Sequence, residues 1–233
     1  MVVILFTELT NRIDDDIFNV LLTMVPASFE EQILRYKRWQ DRQTSLFGKL
    51  LLLRSLREVD VFPGNVFPLH YTDYRRPFFS KNTEIDFNIS HTHNCVVCAL
   101  SKEHRVGIDV EEVVSIDITE FRAQFHEQEW NLIECSTDRC YQFYNSWTRK
   151  EAVIKADGRG LSIPLKKLSV IPDQVILERN TWFLTKVDML KGHVAHIATS
   201  SHVCNDDISL QRITVEDFLN CHNRVANSSL EIK

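Results

Sequence analysis

The sequence predicts an α+β fold of two similar lobes in tandem, each an antiparallel sheet packed on a long helix. The order of strand, helices, long helix and short strands occurs once before His104 and again after it. Two long helical runs, at residues 42–56 and 138–156, supply one long helix to each half. Residue identity between the halves is low, so element order alone supports the duplication only weakly. We expect lobes at residues 1–103 and 104–222 and a flexible tail at residues 223–233.

Composition is that of a globular protein, with 233 residues, 44% hydrophobic and 25% charged. The formal net charge of -5 argues against nucleic-acid binding through an overall basic surface. Any phosphate site must therefore be local. The apolar run at the N-terminus is too short to be a signal or a membrane span. We expect a cytoplasmic protein that binds neither nucleic acid nor membranes.

The first elements are a strand and two helices. Residues 2–6 are apolar and predict a strand, and a run of aspartates from Asp14 opens a helix that Pro26 ends. Ser28 and Glu31 form a capping-box pattern, which predicts the start of a second helix.

The rest of the first half contains its long helix and a hairpin. Apolar positions cover most of the circumference of residues 42–56, so we expect a buried core helix. Arg42 lies near its start, where backbone amides and a cation can together hold an anion. Prolines predict loops and short strands at residues 61–79. Two apolar runs, at residues 85–90 and 95–101, predict a hairpin.

The second half begins with a strand at residues 106–111 and a segment of helical periodicity at residues 116–135. A long helix follows and is expected to end near Gly158 and Gly160. Short strand-like runs then suggest an antiparallel sheet, at residues 168–171, 174–177, 182–187, 194–199 and 208–215.

Two pairs of charged residues have spacings that place both of their side chains on one face of an element. Asp109 and Glu111 are two apart in a strand, so both carboxylates face the same way. Glu151 and Lys155 are four apart in a helix, so they share a face with Trp147. Alone, this helical pair is equally an ordinary surface pair worth about 0.2 to 0.5 kcal/mol. Together with the strand carboxylates it can complete a site for a hard cation such as Mg²⁺.

The six cysteines are expected to be reduced thiols. Histidines and cysteines between His91 and Cys98 could also suggest zinc. However, Cys95 and Cys98 lack a second pair at matching spacing, and three residues apart in a strand they face opposite sides. We favour a buried strand over a zinc site.

Three motifs resemble one enzyme family. Gly-Ile-Asp-Val-Glu at residues 107–111 and Trp-Thr-Arg-Lys-Glu-Ala-Val-Ile-Lys-Ala-Asp-Gly-Arg-Gly-Leu at residues 147–161 resemble the signature pair of the phosphopantetheinyl transferases. Phe-Asn-Ile-Ser-His at residues 87–91 matches a third family stretch. The resemblance is to the larger two-lobed, surfactin-synthetase-activating type. It covers residues 42–161, and the two ends only by element order.

The resemblance implies an enzyme that moves phosphopantetheine from coenzyme A to a serine of an apo acyl or peptidyl carrier protein, with Mg²⁺, releasing adenosine bisphosphate. Such enzymes activate nonribosomal peptide, polyketide and fatty-acid synthases. The segment at residues 116–135 matches the part of the family that docks the carrier. The tandem lobes imply a monomer, because they supply internally the interface that small relatives make by trimerising.

The same resemblance implies roles for individual residues. Asp109, Glu111 and Glu151 would hold the metal. Glu151 is also the candidate general base, and Lys155 and Asp109 complete the catalytic set. The implied coenzyme A contacts are Arg42, Arg76, Ser90, His91, Lys150 and Lys155.

Two other functions stay open at this stage. The first is a noncatalytic module that binds coenzyme A or a carrier protein, although intact Asp109, Glu111, Glu151 and Lys155 count against it. The second is a magnesium-dependent enzyme that acts on another pyrophosphate ester. A phosphate-binding glycine loop of the Walker type is absent from the sequence, which excludes a P-loop protein.

Overall fold

A computed structural model of the chain describes residues 1–79 and 84–228. The helices in these ranges are α1 (Asp15–Leu22), α2 (Ala27–Leu34), α3 (Trp39–Glu58), α4 (Glu127–Cys135), α5 (Arg139–Asp157) and α6 (Val215–Ser228). The strands are β1 (Val2–Glu8), β2 (His70–Tyr71), β3 (Pro77–Phe78), β4 (Asp86–His91), β5 (Cys95–Ser101), β6 (Val106–Glu112), β7 (Gln174–Leu177), β8 (Asn180–Lys186), β9 (His193–Thr199) and β10 (Ile208–Arg212). In the part of the chain so described, no helix has the length and apolar character needed to cross a bilayer.

The first lobe is a four-stranded sheet in the order β10-β1-β5-β4, with α3 packed on its outer face. β1 and β4 pair antiparallel with β5, whereas β10 pairs parallel with β1. The sheet is therefore mixed rather than purely antiparallel as predicted. Leu46, Phe47 and Leu51 of α3 are fully buried against it, as expected for a core helix.

The C-terminal segment departs from the predicted division at residue 104. β10 completes the first sheet, and Ile213 and Phe218 join the apolar core of the first lobe. Residues 208–222 therefore belong with the first lobe and not, as predicted, with the second. Helix α6 continues to Ser228, so the predicted tail begins as a helix, and residues 229–233 lie outside the described residues.

The second lobe is an antiparallel sheet in the order β6-β9-β8-β7, with α5 on its outer face. Gly107 explains how closely helix and strand approach. A Cβ atom there would lie 2.2 Å from both the Ala152 carbonyl oxygen and the Ala156 nitrogen. Only glycine permits this approach, and the approach brings the last turns of α5 over β6.

The lobes meet through their inner sheet faces and through the neighbouring edges of β4 and β6. Apolar side chains of both sheets form one buried cluster that includes Ile4, Val97, Ile108 and Ile197. At the edges of β4 and β6, hydrogen bonds from backbone amides to side-chain oxygens take the place of a backbone hydrogen-bond ladder. Asp86 Oδ2 accepts from the Val106 amide at 2.8 Å, and Asn88 Oδ1 accepts from the Ile108 amide at 3.0 Å.

The α+β two-lobed prediction is thus confirmed, with two local errors besides the parallel pairing and lobe membership of the C-terminal segment. Ser28 lies inside α2, whose N-cap is Pro26 without a side-chain cap, because proline already sets the entry of the chain. Residues 168–171 form no strand. Leu168 and Val170 are instead buried in the core beneath α5. Their alternation with exposed neighbours gives the sequence the pattern of a strand.

Candidate active site

Asp109 lies at the centre of the site, where the edges of β4 and β6 meet below α5. Its side chain is 4% exposed. Its Oδ1 accepts from Lys155 Nζ of α5 at 2.6 Å and from Ser90 Oγ of β4 at 2.9 Å. Lys155 Nζ also donates to Ser90 Oγ at 2.8 Å. Ser90 of β4 and Lys155 of α5 therefore both contact the carboxylate of Asp109 on β6. The structure brings these three predicted residues together.

Glu111 and Glu151 lie close enough to Asp109 for its charge to change their pKa values. Desolvation and then the Asp109 carboxylate raise the pKa of Glu111 to about 7, with a further increase from Glu151. A hydrogen bond from Trp147 and the charge of Lys155 act in the opposite direction. Desolvation and Asp109 also raise the pKa of Glu151. We name Asp109, Glu111 and Glu151 the three-carboxylate cluster, and its excess of negative charge makes it a natural cation site.

The donor set of this cluster fits a hard divalent cation. Asp109 Oδ2 is buried and has no hydrogen-bond partner, so its lone pairs are available to a ligand. All three side chains offer oxygen ligands, which Mg²⁺ prefers. Across residues 1–79 and 84–228, no three or more histidine, cysteine, aspartate or glutamate side chains are arranged so that they could hold a metal ion. The three-carboxylate cluster therefore has suitable ligand types but not a coordination geometry.

A pocket of about 500 Å³ opens beside Ser90, between α3 and β4. We call it the α3–β4 pocket; Lys49, Thr44, Asn88 and His91 are among the residues that line it. Desolvation and then the charge of Lys155 lower the pKa of His91. Desolvation also lowers the pKa of Lys49. Both shifts disfavour the charged forms, and Asp41 also lines the pocket, so the α3–β4 pocket offers hydrogen-bond donors rather than a strong positive charge.

Arg42 and Arg76, both expected to contact coenzyme A, lie elsewhere. Arg42 lines a separate, smaller pocket and donates through Nε to the Tyr36 carbonyl at 2.7 Å. The side chain of Arg76 is 8% exposed and makes a bidentate ion pair with Asp86, at 2.8 and 2.7 Å. It also donates to the carbonyl of Lys155 at 3.0 Å. Arg76 therefore anchors the end of α5 to the first lobe.

Lys150 does not face the site either, contrary to expectation. Its side chain is 0% exposed, and Nζ forms an ion pair with Glu129 at 2.8 Å. It also donates to the carbonyls of Leu165 and Leu168. Neighbouring helical residues differ by about 100° in direction, so Lys150 points away from the surface that carries Glu151.

Sequence reasoning missed several of these residues. Asp86 and Asn88 precede Ser90 at intervals of two, so strand alternation already predicts that the three share a face. Lys49 lies in a helical run for which sequence reasoning predicted burial of most of the circumference and no ligand contact beyond Arg42. The residues next to Glu129 in the sequence do not indicate that it is buried, because its ion-pair partner, Lys150, is 21 positions away in the chain.

Comparison with known proteins agrees with this geometry. Residues 105–204 match the family model described as the 4'-phosphopantetheinyl transferase superfamily, and residues 13–103 match the N-terminal model of 4'-phosphopantetheinyl transferase. The 4'-phosphopantetheinyl transferase gsp of Aneurinibacillus migulanus is 35% identical over 185 residues, which cover 77% of each chain.

Two further relatives are more distant. The 4'-phosphopantetheinyl transferase Sfp of Bacillus subtilis is 26% identical over 64% of this chain and 67% of its own. The human L-aminoadipate-semialdehyde dehydrogenase-phosphopantetheinyl transferase is 30% identical over 60% of this chain and 50% of its own.

Two lobes that meet at a cluster of acidic and basic side chains define a transferase of the phosphopantetheinyl class. The chain belongs to the 4'-phosphopantetheinyl transferase superfamily and, within it, to the two-lobed Sfp type.

Proposed function

We propose that this enzyme transfers the phosphopantetheine moiety of coenzyme A to a serine of an apo acyl or peptidyl carrier protein and releases adenosine bisphosphate. The observation that carries the proposal is the convergence of Ser90, Asp109 and Lys155 at 2.6 to 2.9 Å, beside two further carboxylates. The relatives' names describe the same transfer, which supports the substrate class.

Asp109, Glu111 and Glu151 are the residues that would hold Mg²⁺. When bound there, the cation would neutralise negative charge on the pyrophosphate of coenzyme A. The unpartnered Oδ2 of Asp109 and the raised pKa values of the two glutamates support this assignment. Lys155 is the counter-charge that acts on these three carboxylates, so a bound cation would offset repulsion that a single ammonium leaves.

The reaction is attack by the carrier serine oxygen on a phosphorus of the pyrophosphate. One phosphorus–oxygen bond forms, the bridging bond to the adenosine bisphosphate breaks, and the serine loses its proton. Glu151 is the general base that we assign to this proton, because burial and Asp109 raise its pKa toward the useful range. Such a base contributes about a hundredfold to ten-thousandfold.

Lys155 is held in place by Asp109 and Ser90 and keeps 28% of its side chain exposed. Its ammonium is therefore both fixed and accessible, and we assign it to a phosphate oxygen of the reacting pyrophosphate. A preorganised charge of this kind stabilises the transition state without reorganisation during the reaction.

The nucleotide end of coenzyme A is assigned to the α3–β4 pocket. His91 is the predicted contact that lines it, and Lys49 adds a basic residue that sequence reasoning did not include. Ser90 is assigned to the reacting end of coenzyme A, because it contacts Lys155 and Asp109.

Arg76 and Lys150 are assigned to the framework instead, since each already uses its donors on protein oxygens. Arg42 uses its Nε on the Tyr36 carbonyl and, among the described residues, keeps its terminal guanidinium nitrogens for an anion, so its contact with coenzyme A stays a prediction.

The carrier protein is assigned to the predicted docking segment, residues 116–135. Val114, Ile116 and Leu132 in or beside it are 45%, 39% and 48% exposed, so they offer apolar contacts. We further propose a cytoplasmic monomer that serves nonribosomal peptide, polyketide or fatty-acid synthases. The buried cluster between the lobes supplies an interface within one chain, which supports the monomer; gel filtration tests it.

The deciding experiment incubates the protein with an apo carrier protein, coenzyme A and Mg²⁺, then measures the intact mass of the carrier. We expect the mass of one phosphopantetheine group to be added, and none when the carrier serine is replaced by alanine. Coenzyme A binding without mass addition would instead identify a noncatalytic binding module. Cleavage of coenzyme A without modification of the carrier would identify a pyrophosphate-ester hydrolase.

A further inference from the structure

Glu129 and Lys150 form a buried ion pair one residue away from the proposed general base. Their side chains are 1% and 0% exposed, and Glu129 Oε2 lies 2.8 Å from Lys150 Nζ. Burial of two charges is costly, and their mutual attraction rarely makes the fold more stable than an apolar pair would. The pair therefore calls for an explanation other than stability.

Every donor of the Lys150 ammonium is already used within the protein. Besides Glu129, Nζ donates to the carbonyls of Leu165 and Leu168, and a lysine ammonium has only three donors. The ring of Phe125 lies 5.5 Å from Nζ and closes that side. A ligand phosphate therefore has no free donor and no path to Lys150.

Glu129 joins this contact to two more segments. Its Oε2 accepts from the His126 amide at 2.9 Å, and its Oε1 accepts from the Val170 amide at 2.9 Å. The pair thus connects the start of α4, the middle of α5 and the segment at residues 165–170. It holds α5 on the face opposite to the one that meets β6.

We infer that the Glu129–Lys150 ion pair is a positioning device that fixes the rotation of α5 and thereby presents Glu151 to Asp109 and Glu111. Successive residues of a helix differ by about 100°, so anchoring Lys150 sets the direction of Glu151. The C-terminal end of α5 is held separately by Arg76 and by Arg105, which donate to the carbonyls of Lys155 and Asp157. With its C-terminal end held in this way, α5 could still rotate about its own axis, and the ion pair prevents that rotation.

The inference rests on the proposed function, and a double-mutant cycle tests it. The proteins are wild type, Glu129→Gln, Lys150→Met and the double variant Glu129→Gln/Lys150→Met. Lys150→Met leaves a buried carboxylate without a counter-charge, whereas the double variant removes both charges and keeps an acceptor oxygen at position 129. Lys167→Met makes the same chemical change at an exposed lysine and is the matched control.

For Lys150→Met we expect a lower urea midpoint and a loss of up to about a hundredfold in kcat, the effect of a misplaced catalytic group. The KM for coenzyme A should change little. The decisive variant is the double one. It should regain the urea midpoint lost in Lys150→Met, because the unpaired buried carboxylate is gone, but it should keep the low kcat, because the contact that orients α5 is also gone. It should bind coenzyme A, measured by titration calorimetry, as tightly as wild type. Lys167→Met should behave as wild type throughout.

A direct contact between Lys150 and a ligand phosphate would produce the opposite pattern. Both variants that lack Lys150 would then bind coenzyme A about tenfold or more weakly. That result overturns the inference, and so does a wild-type kcat in the double variant, which would show that Glu151 is oriented without the ion pair. If Lys150→Met does not fold, the double variant alone decides through its coenzyme A affinity. Failure of wild type to modify a carrier would refute the proposed function, whereas the calorimetry and urea data test the pair independently.

Discussion

Replacing Gly107 with alanine tests whether the contact between α5 and β6 controls activity. The new Cβ would lie 2.2 Å from backbone atoms of Ala152 and Ala156, where ordinary contacts begin at 3.4 Å. Neither backbone atom can rotate away, so α5 must retreat by about 1 Å, at a cost of about 1 to 3 kcal/mol of unfolding free energy. That displacement is comparable to one that costs about a hundredfold in rate when it affects catalytic groups.

Urea unfolding and carrier modification at saturating coenzyme A and Mg²⁺ measure the two effects of Gly107→Ala separately. Gly64→Ala is the control: its Cβ would meet the ring of Phe62 at 2.8 Å, but that side chain is 73% exposed and can move. We expect near wild-type stability and rate for the control. Wild-type stability and turnover in Gly107→Ala would refute the close-approach argument.

Three further predictions concern the site itself. Asp109→Ala and Glu151→Ala should abolish transfer but retain the circular dichroism of the folded protein, because each removes a ligand or base that belongs to none of the apolar core clusters. Normal turnover in either variant would contradict the assignment. Because the pKa of Glu111 is raised from 4.5 to about 7, the folded state binds more protons than the unfolded state between these values. Stability in EDTA should therefore fall as pH rises from 4.5 to about 7, while Mg²⁺ affinity rises over the same range as the carboxylate loses its proton. Urea midpoints and Mg²⁺ titrations at pH values across this range check both trends, and flat profiles would count against the cluster. His91→Ala should raise the KM for coenzyme A with kcat nearly unchanged; steady-state kinetics measure this, and a change in kcat alone would exclude a binding role.

Local periodicity was sufficient to predict the centre of the site. The alternation of β6 places Asp109 and Glu111 on one face, and the helical spacing of α5 does the same for Glu151 and Lys155. Both rules depend only on neighbours in the chain. The convergence of the two elements followed from the family resemblance rather than from periodicity.

The orientation of the basic residues could not be predicted in this way. Lys150 and Arg76 are directed inward by Glu129 and Asp86, which lie on other elements. Whether a lysine or arginine meets ligand or protein depends on such tertiary partners, and the motif itself contains no record of them. The same reason explains the missed position of β10, whose pairing partner β1 is about two hundred residues away in the chain.

The parallel pairing of β10 with β1 has a consequence for the order of assembly. While the chain emerges from a ribosome, residues 1–103 appear first, but their sheet lacks its outer strand and their core lacks Ile213 and Phe218. The nascent first half therefore exposes an open edge until residues 208–218 have been made. A gene fragment that encodes residues 1–103 alone would leave this edge of β1 unpaired and part of its core unfilled.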